Sequence, residues 1–388
     1  MLNFDFYNPT HIAFGEGKIA DLDTLVPKSA RVLILLGGGS AKQNGTLEQV
    51  MQALGDRYIK EFSGIEPNPT YETLMQAVKE VNAHDIDFLV AVGGGSVIDG
   101  TKFIAAAVYS KTDPWDILLT TGSDVTKAMP FGTVLTLPAT GSEMNNGAVI
   151  TRQETQDKLY FRSKTTFPQF SILDPTRSYT LPPRQLANGV IDAFTHTVEQ
   201  YLTYPVGALV QDRFAEGLLQ TLIEIGPALI EKPDDYELQS NLMWTATLAL
   251  NGLIGAGVPQ DWATHMIGHE ITALHGLDHA QTLAIILPTM LDLRRDEKKS
   301  KLLQYAERVW HIHEGTESER IDKSIAETRS FFEKLGVKTY LSDYNITASN
   351  IDDIVVRLQS HGMNSLGEHN NVTIKISRKV LLKSLFKR

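Results

Sequence analysis

The stretch Asp261-Trp-Ala-Thr-His-Met-Ile-Gly-His-Glu-Ile-Thr-Ala-Leu-His-Gly-Leu-Asp-His-Ala280 contains His265, His269, His275 and His279, four of the chain's eleven histidines. Histidine is the commonest metal ligand and titrates near neutrality. On a helix, His265 and His269 stand one turn apart on one face, and His279 follows a glycine-containing break beyond which a new element can turn it back. That is half of a metal site. Upstream, Asp192, His196 and Glu199 fall at i, i+4 and i+7 of a helix-patterned segment and share a face, a stripe that also suits a solvated helix side. One carboxylate with three imidazoles suits Zn2+ in a tetrahedral or open site, or Fe2+. Spacing alone does not choose among His196, His265, His269, His275 and His279. His269-Glu270 does not begin an H-E-x-x-H motif, because the next histidine is His275, which disfavours a zincin-type hydrolase. His311 and His313 lie in a polar segment and read as solvated.

The elements that must position these side chains fall into two halves. Residues 32–36 form a short apolar run ending in Gly37-Gly-Gly-Ser40, followed by helical spacing at Leu47, Val50, Met51 and Leu54. The order recurs, with a helix over 71–82, a buried strand over 87–92, the turn Gly93-Gly-Gly-Ser96 and a helix over 97–108. Apolar strands without polar alternation, each followed by a helix, require a parallel sheet covered on both faces. A glycine turn there lets backbone approach a ligand, and the next helix offers free N–H groups and a positive dipole end to a phosphate. Two such turns point to a nucleotide, although neither matches G-x-G-x-x-G. Residues 133–137 form a further strand leading into Pro138-Ala-Thr-Gly-Ser-Glu143. The hydroxyls of Thr136, Thr140 and Ser142 suit a ribose or phosphate as well as local backbone hydrogen bonding. Lys158 and Arg162 follow in a polar segment, and residues 170–174 read as a closing strand. Pro175, Pro182 and Pro183 mark a boundary near residue 180. Beyond it, helical patterns cover 185–203, 212–229, 238–250, 262–274, 280–293, 301–310, 322–335 and 351–359. The expected organisation is an α/β dinucleotide-binding domain over residues 1–180 and an all-α metal-binding domain over 181–388.

Composition agrees with two domains, since 388 residues exceed the size at which one core usually stops growing. Hydrophobic content of 42% with 21% charged residues is that of a soluble globular protein. A net charge of -10 without a long basic run argues against nucleic acid and against an anionic membrane surface. With no cysteine, disulfides and thiolate metal sites are excluded, so a metal must be held by His, Asp, Glu or carbonyl oxygen. The opening Met-Leu-Asn-Phe-Asp-Phe-Tyr-Asn-Pro lacks the pattern of a signal peptide, and no apolar run approaches the roughly 20 residues of a bilayer span. A cytoplasmic location is expected.

The motifs Phe14-Gly15-Glu16-Gly17, Gly93-Gly-Gly-Ser-Val-Ile-Asp-Gly-Thr-Lys102, Leu137-Pro-Ala-Thr-Gly-Ser-Glu143, Leu181-Pro-Pro183, Asp192-Ala-Phe-Thr-His196 and the histidine stretch occur in order over nearly the whole chain. Together they resemble the iron-containing alcohol dehydrogenases, and among them the bacterial NADPH-dependent aldehyde reductases of the butanol dehydrogenase-like subgroup. The resemblance implies a dehydroquinate synthase-like fold, with an N-terminal dinucleotide-binding domain, an all-α C-terminal domain and the site in the cleft between them. It implies Asp192, His196, His265 and His279 as metal ligands, leaves His269 close to the metal but outside the ligand set, and leaves His275 to a loop or an outer position. A neighbouring imidazole suits proton relay, so His269 is the expected relay, with a water chain or the ribose hydroxyls as alternatives. It places the cofactor pyrophosphate at Gly94, Gly95 and Ser96, the ribose and nicotinamide among Asp99, Thr136, Thr140, Ser142 and Lys158, and the adenosine ribose at Gly38, Gly39 and Ser40. NAD-preferring relatives carry an Asp in the first turn, where it would repel a 2′-phosphate. Residues 37–42 contain no acid and offer Ser40 and Lys42, so NADPH is expected. The implied activity is reduction of short- to medium-chain aldehydes to primary alcohols, and the reverse oxidation, including reactive aldehydes such as acrolein or methylglyoxal. The implied enzyme is a homodimer with one divalent ion, Zn2+ or Fe2+, with Ni2+ or Co2+ also suited. A glycerol dehydrogenase-like NAD enzyme and a dehydroquinate synthase-like lyase are the alternatives on the same fold, and a nucleotide-free metal hydrolase is the alternative from another class. Trp244, Leu253, Ile254 and Trp262 suit either an apolar pocket wall or the core.

Overall fold

Arg31–Leu36 is buried along its length from its second residue in the computed structural model, which describes residues 1–387. A strand with no solvent face needs cover on both sides of its sheet. The strands of this half are β1 (His11–Phe14), β2 (Arg31–Leu36), β3 (Tyr58–Phe62), β4 (Phe88–Gly94), β5 (Phe131–Leu137), β6 (Gly147–Arg152), β7 (Asp157–Arg162) and β8 (Phe170–Leu173). Its helices are α1 (Leu22–Leu25), α2 (Ser40–Gln43), α3 (Thr46–Leu54), α4 (Tyr71–Ala83), α5 (Gly95–Ala107) and α6 (Asp116–Leu119). Six strands form one sheet in the order β1-β8-β5-β4-β2-β3, each neighbouring pair parallel. Alternate residues cover opposite faces. Leu33, Leu35, Leu89 and Ala91 pack with Leu74, Ile98 and Phe103 on one side, and Val32, Ile34, Val90 and Val92 pack with Leu22, Val50 and Leu54 on the other.

The strand order reverses between β2 and β4, because β2 leads outward to β3 while β4 leads the opposite way to β5. The two glycine turns therefore leave the carboxyl ends of paired strands at the switch point, where open α/β sheets bind ligands. The segment carrying Lys158 and Arg162, read from sequence only as polar, is the second strand of an antiparallel β6–β7 hairpin that buries Ala148, Ile150 and Phe161.

The second half contains α7 (Pro183–Tyr201), α8 (Leu209–Glu231), α9 (Tyr236–Ala249), α10 (Ala263–His275), α11 (His279–Leu293), α12 (Lys299–Arg308), α13 (Glu317–Lys334), α14 (Ala348–Ser360) and α15 (Ile374–Lys383). It is helical but not purely α, because β9 (Ser365–Leu366) and β10 (Val372–Thr373) form a small hairpin. On α10, Ala263, Ile267 and Ile271 pack with Ile285, Ile351, Ile354 and Val380. His265 lies about 200° round the helix from Ala263, at about 100° per residue, and so faces away from that core. Two compact units result, Tyr7–Leu181 with Pro233–Thr247, and Met1–Phe6 with Pro182–Lys232 and Leu248–Arg388. Among the described residues no helix is long and apolar enough to cross a membrane.

Candidate metal centre and cofactor turns

α7 begins at Pro183, where the missing N–H costs nothing and φ is pre-set for the helix. Over residues 186–201 nearly every side chain is buried, so the stripe of Asp192, His196 and Glu199 is an interior face and must find its partners inside the protein. α10 and α11 supply them. The two helices approach at Gly268, where a Cβ would stand 2.6 Å from Thr282 Oγ1. Asp278, just before α11, accepts from Asn188 Nδ2 of α7 at 2.8 Å and pairs with Arg184 at 3.2 Å, fixing the start of α11 and with it His279.

Around Asp192 Oδ1 stand the Nε2 atoms of His196 at 3.6 Å, His265 at 3.8 Å and His279 at 3.9 Å. These contacts exceed the roughly 3.2 Å limit of ordinary N–H···O bonds. Among the described residues, buried Asp192 Oδ1 and His265 Nε2 have no hydrogen-bond partner. Donor atoms about 2.0–2.2 Å from a tetrahedral ion lie about 3.4 Å apart, so the observed spacing is that of a slightly expanded ligand set. Asp192, His265 and His279 offer ligand atoms within 4.8 Å of one another, and the His196 ring stacks on that of His265 at 4.7 Å and 12°. A divalent cation fits these orphaned atoms and this donor set.

The electrostatics of His196 and Asp192 favour the deprotonated states a metal requires, while those of His265 favour a proton that a bound cation would displace. Burial lowers His196 to about 4, with Asp192 opposing the shift and His265 adding to it. Burial opposes ionisation of Asp192, yet the imidazoles, His196 foremost, hold its carboxyl below the usual range. Burial also opposes charge on His265, but the Glu199 and Asp192 carboxylates raise it to about 9. Glu199 accepts the Nδ1 proton of His265 and, through its other oxygen, the Thr264 N–H at 2.6 Å. A carboxylate on the far nitrogen orients the ring and would leave Nε2 to face an ion. The i+7 spacing from Asp192 was the only sequence signal for this role.

His269 is buried, with its ring 4.9 Å from that of His279 and 6.4 Å from that of His265. His275 is the last residue of α10 rather than part of a loop, and burial lowers its imidazole, with Asp353 opposing. His311 and His313 are exposed. Of the apolar candidates, Ile254 is core, Leu253 is half-buried, and Trp244 packs edge-on against Phe14 at 6.1 Å. Trp262 lies beside His196 and His265.

In the other unit, the first glycine turn ends at Ser40, the first residue of α2, and Lys42 pairs with Glu61 at 2.9 Å. At the second turn α5 opens at Gly95, two residues before the apolar spacing indicated, and Gly94 leaves its first N–H groups without a side-chain cap. A Cβ on Gly95 would stand 2.4 Å from Thr140 Oγ1, so only glycine allows this turn to meet the loop after β5. Thr136 is buried in β5. Lys158 reaches from β7 to Asn68 Oδ1 at 2.7 Å, and the Asn68 N–H donates to Ser96 Oγ at 3.3 Å, which ties the hairpin to the second turn.

Asp99 and Ser142 take part in an interior network. Asp99 accepts from Ser142 Oγ at 2.5 Å and from the Val149 N–H at 2.9 Å. Lys102, which the sequence offered only as part of a motif, is fully buried and donates to Ser142 Oγ, Asn145 Oδ1 and Gly147 O, each at 2.8 Å. Burial lowers its ammonium to about 8 against the pull of Asp99 and Glu143, and burial raises both of those carboxyls.

Residues 9–175 match the iron-containing alcohol dehydrogenase family, and residues 186–375 match the C-terminal part of the Fe-containing alcohol dehydrogenase family. The chain is 60% identical to the NADPH-dependent aldehyde reductase YqhD of Escherichia coli (strain K12), over 98% of this chain and 99% of that one. It is 41% identical to the probable NADH-dependent butanol dehydrogenase 1 of Bacillus subtilis (strain 168), over 93% and 95% of the respective chains. Among solved structures, that of E. coli K-12 YqhD matches with a TM-score of 0.98 at 59% identity, covering 99% of both chains. The NADH-dependent butanol dehydrogenase A of Thermotoga maritima matches with a TM-score of 0.95 at 34% identity, covering 100% of this chain and 99% of the other. Fold, buried donor set and relatives agree, and the chain belongs to the iron-containing alcohol dehydrogenase family.

Proposed function

We propose that this protein reduces short- to medium-chain aldehydes to primary alcohols, and catalyses the reverse oxidation, using NADPH and one divalent metal ion, Zn2+ or Fe2+. The observation that carries the reading is the convergence of three imidazole nitrogens on Asp192 Oδ1 in a member of this family. When bound, the ion supplies Lewis-acid polarisation of the carbonyl and the nicotinamide supplies the hydride. Asp192, His196, His265 and His279 hold the ion, and Glu199 keeps His265 in the tautomer that presents Nε2. The free amides of Gly95 and Ser96 open α5 and bind the pyrophosphate at the positive end of the helix, beside Gly94. Thr136, Thr140 and Lys158 flank the nicotinamide half, while Asp99 and Ser142 brace the turn from behind. Gly38, Gly39 and Ser40 receive the adenosine ribose, and the absence of an acid there supports a 2′-phosphate. Ser40 contributes more to that phosphate than Lys42, whose ammonium is engaged by Glu61. His269, beside His279, passes a proton to the oxygen that becomes the alcohol hydroxyl.

Protein stripped of metal and resupplied with Zn2+, Fe2+, Ni2+ or Co2+ one at a time is expected to regain butanal-dependent oxidation of NADPH. The expected kcat/KM for NADPH exceeds that for NADH by about tenfold or more, a difference of about 1.4 kcal/mol. Full turnover by the stripped protein would overturn the metal reading, and a preference for NADH would overturn the cofactor reading. His269→Ala is expected to lower kcat about 100-fold and to alter the pH profile while metal content stays the same. Unchanged turnover and pH profile would remove the relay, and lost metal would instead make His269 a ligand.

A further inference from the structure

Trp262 precedes α10 with φ 61° and ψ 4°, a left-handed backbone that a bulky L-residue adopts only under steric strain. Such strain persists where the surroundings over-determine it, and it collects at working sites. The surroundings here are specific. The Ala263 N–H is held by Asp261 Oδ1 at 3.1 Å, Asp261 is paired with buried Lys298 at 2.9 Å, and the indole Nε1–H donates to Gln260 Oε1 at 2.7 Å. The indole ring meets the His196 ring at 6.1 Å and 65° and the His265 ring at 5.3 Å and 75°, both T-shaped contacts. One side chain thus abuts both members of the stacked imidazole pair.

Those two imidazoles differ in what else restrains them. His265 is fastened through Nδ1 to Glu199. His196 Nδ1 is buried and, among the described residues, has no hydrogen-bond partner, although the far nitrogen of a metal-binding histidine almost always has one. Without that bond, rotation of the ring about Cβ–Cγ would carry Nε2 away from Asp192 Oδ1. Ring packing is what remains to oppose the rotation, from His265 stacked against it and Trp262 across it.

We propose that Trp262 is a positioning residue of the metal centre, its indole fixing the ring plane of His196 in place of the missing outer hydrogen bond. The left-handed turn is the backbone conformation that delivers the indole there while sending the Thr264 N–H to Glu199. The inference rests on the reading of Asp192, His196, His265 and His279 as metal ligands.

Trp262→Gly suits the left-handed backbone and removes only the ring, so its melting temperature is expected to equal or exceed that of the parent. With Co2+ as the probe ion, affinity is read by competition with a chelator and ligand geometry by the visible absorption spectrum. W262G is expected to bind Co2+ about 10–100-fold more weakly with an altered spectrum, and W262F to return both toward the parent values. Should W262G fail to fold, W262L, which keeps apolar bulk without a ring plane, carries the same expectation. Parent affinity and spectrum in the ringless variant would overturn the inference alone, as would a loss that W262F shares in full. A parent protein that binds no divalent ion would overturn both this inference and the proposed function.

Discussion

Asp192→Asn is expected to leave less than about a tenth of an equivalent of divalent metal on the purified chain, and to cut kcat/KM for butanal by about 1,000-fold or more. Asparagine keeps the shape of the side chain and removes the only formal negative charge among Asp192, His196, His265 and His279. It also changes the one group approached by all three imidazoles, since their Nε2 atoms share Oδ1 as nearest carboxylate oxygen. Polarisation of a carbonyl by a bound ion is worth several kcal/mol, and each 1.4 kcal/mol or so is a factor of ten, so losing the ion accounts for the whole effect. Metal is measured by plasma emission on the sample used for kinetics. A variant that retains a full equivalent would remove Asp192 from the ligand set.

Lys102→Met is expected to lower the stability of the unit containing the parallel sheet by about 3–5 kcal/mol, the range for breaking a buried charge network by removing one partner. Methionine fills the volume of the lysine stem, so the loss is electrostatic rather than a cavity. Asp99 and Glu143 lose the ammonium that offsets their burial, and Ser142 Oγ, Asn145 Oδ1 and Gly147 O lose their shared donor. Urea unfolding followed by tryptophan fluorescence should show a lower midpoint, with weaker NADPH binding because Lys158 sits on the hairpin that this network anchors. A midpoint equal to that of the parent would show the buried charge to be dispensable.

The helices and central strands were legible because burial imposes period: 3.6 along α7 and α10, and unbroken apolarity along β2 and β4. The hairpin over β6 and β7 escaped because Lys158 and Arg162 mask its alternation, although Ala148, Ile150 and Phe161 supply it. β3 escaped for a related reason, being an edge strand with lysine and glutamate among its five residues. In the candidate site, residue type and spacing singled out Asp192 with His196, His265, His269, His275 and His279, and only the family resemblance chose among those histidines. Glu199 and Lys102 did not, since a glutamate or lysine on a helix ordinarily faces water. What makes them interior is contact over long sequence distances, Glu199 with His265 and Lys102 with Asn145 and Gly147. The left-handed backbone of Trp262 has no sequence signal at all, because glycine and asparagine, not tryptophan, mark that conformation.

The order of strands in the sheet is also an order in time. Among the described residues β1 pairs only with β8, and Thr10 beside it donates its hydroxyl to Pro168 O, 158 residues later. At roughly 5–20 residues per second of synthesis, β1 waits about 10–30 s for its only neighbour. The strand that closes the sheet ends at Leu173, before Asp192 has been made. A nascent chain therefore carries every strand of the sheet, and both glycine turns, before it contains any of the residues proposed to hold the metal, and only Pro233–Thr247 remains to join that unit. Every strand pairing of the sheet is thus available before the first of those residues exists.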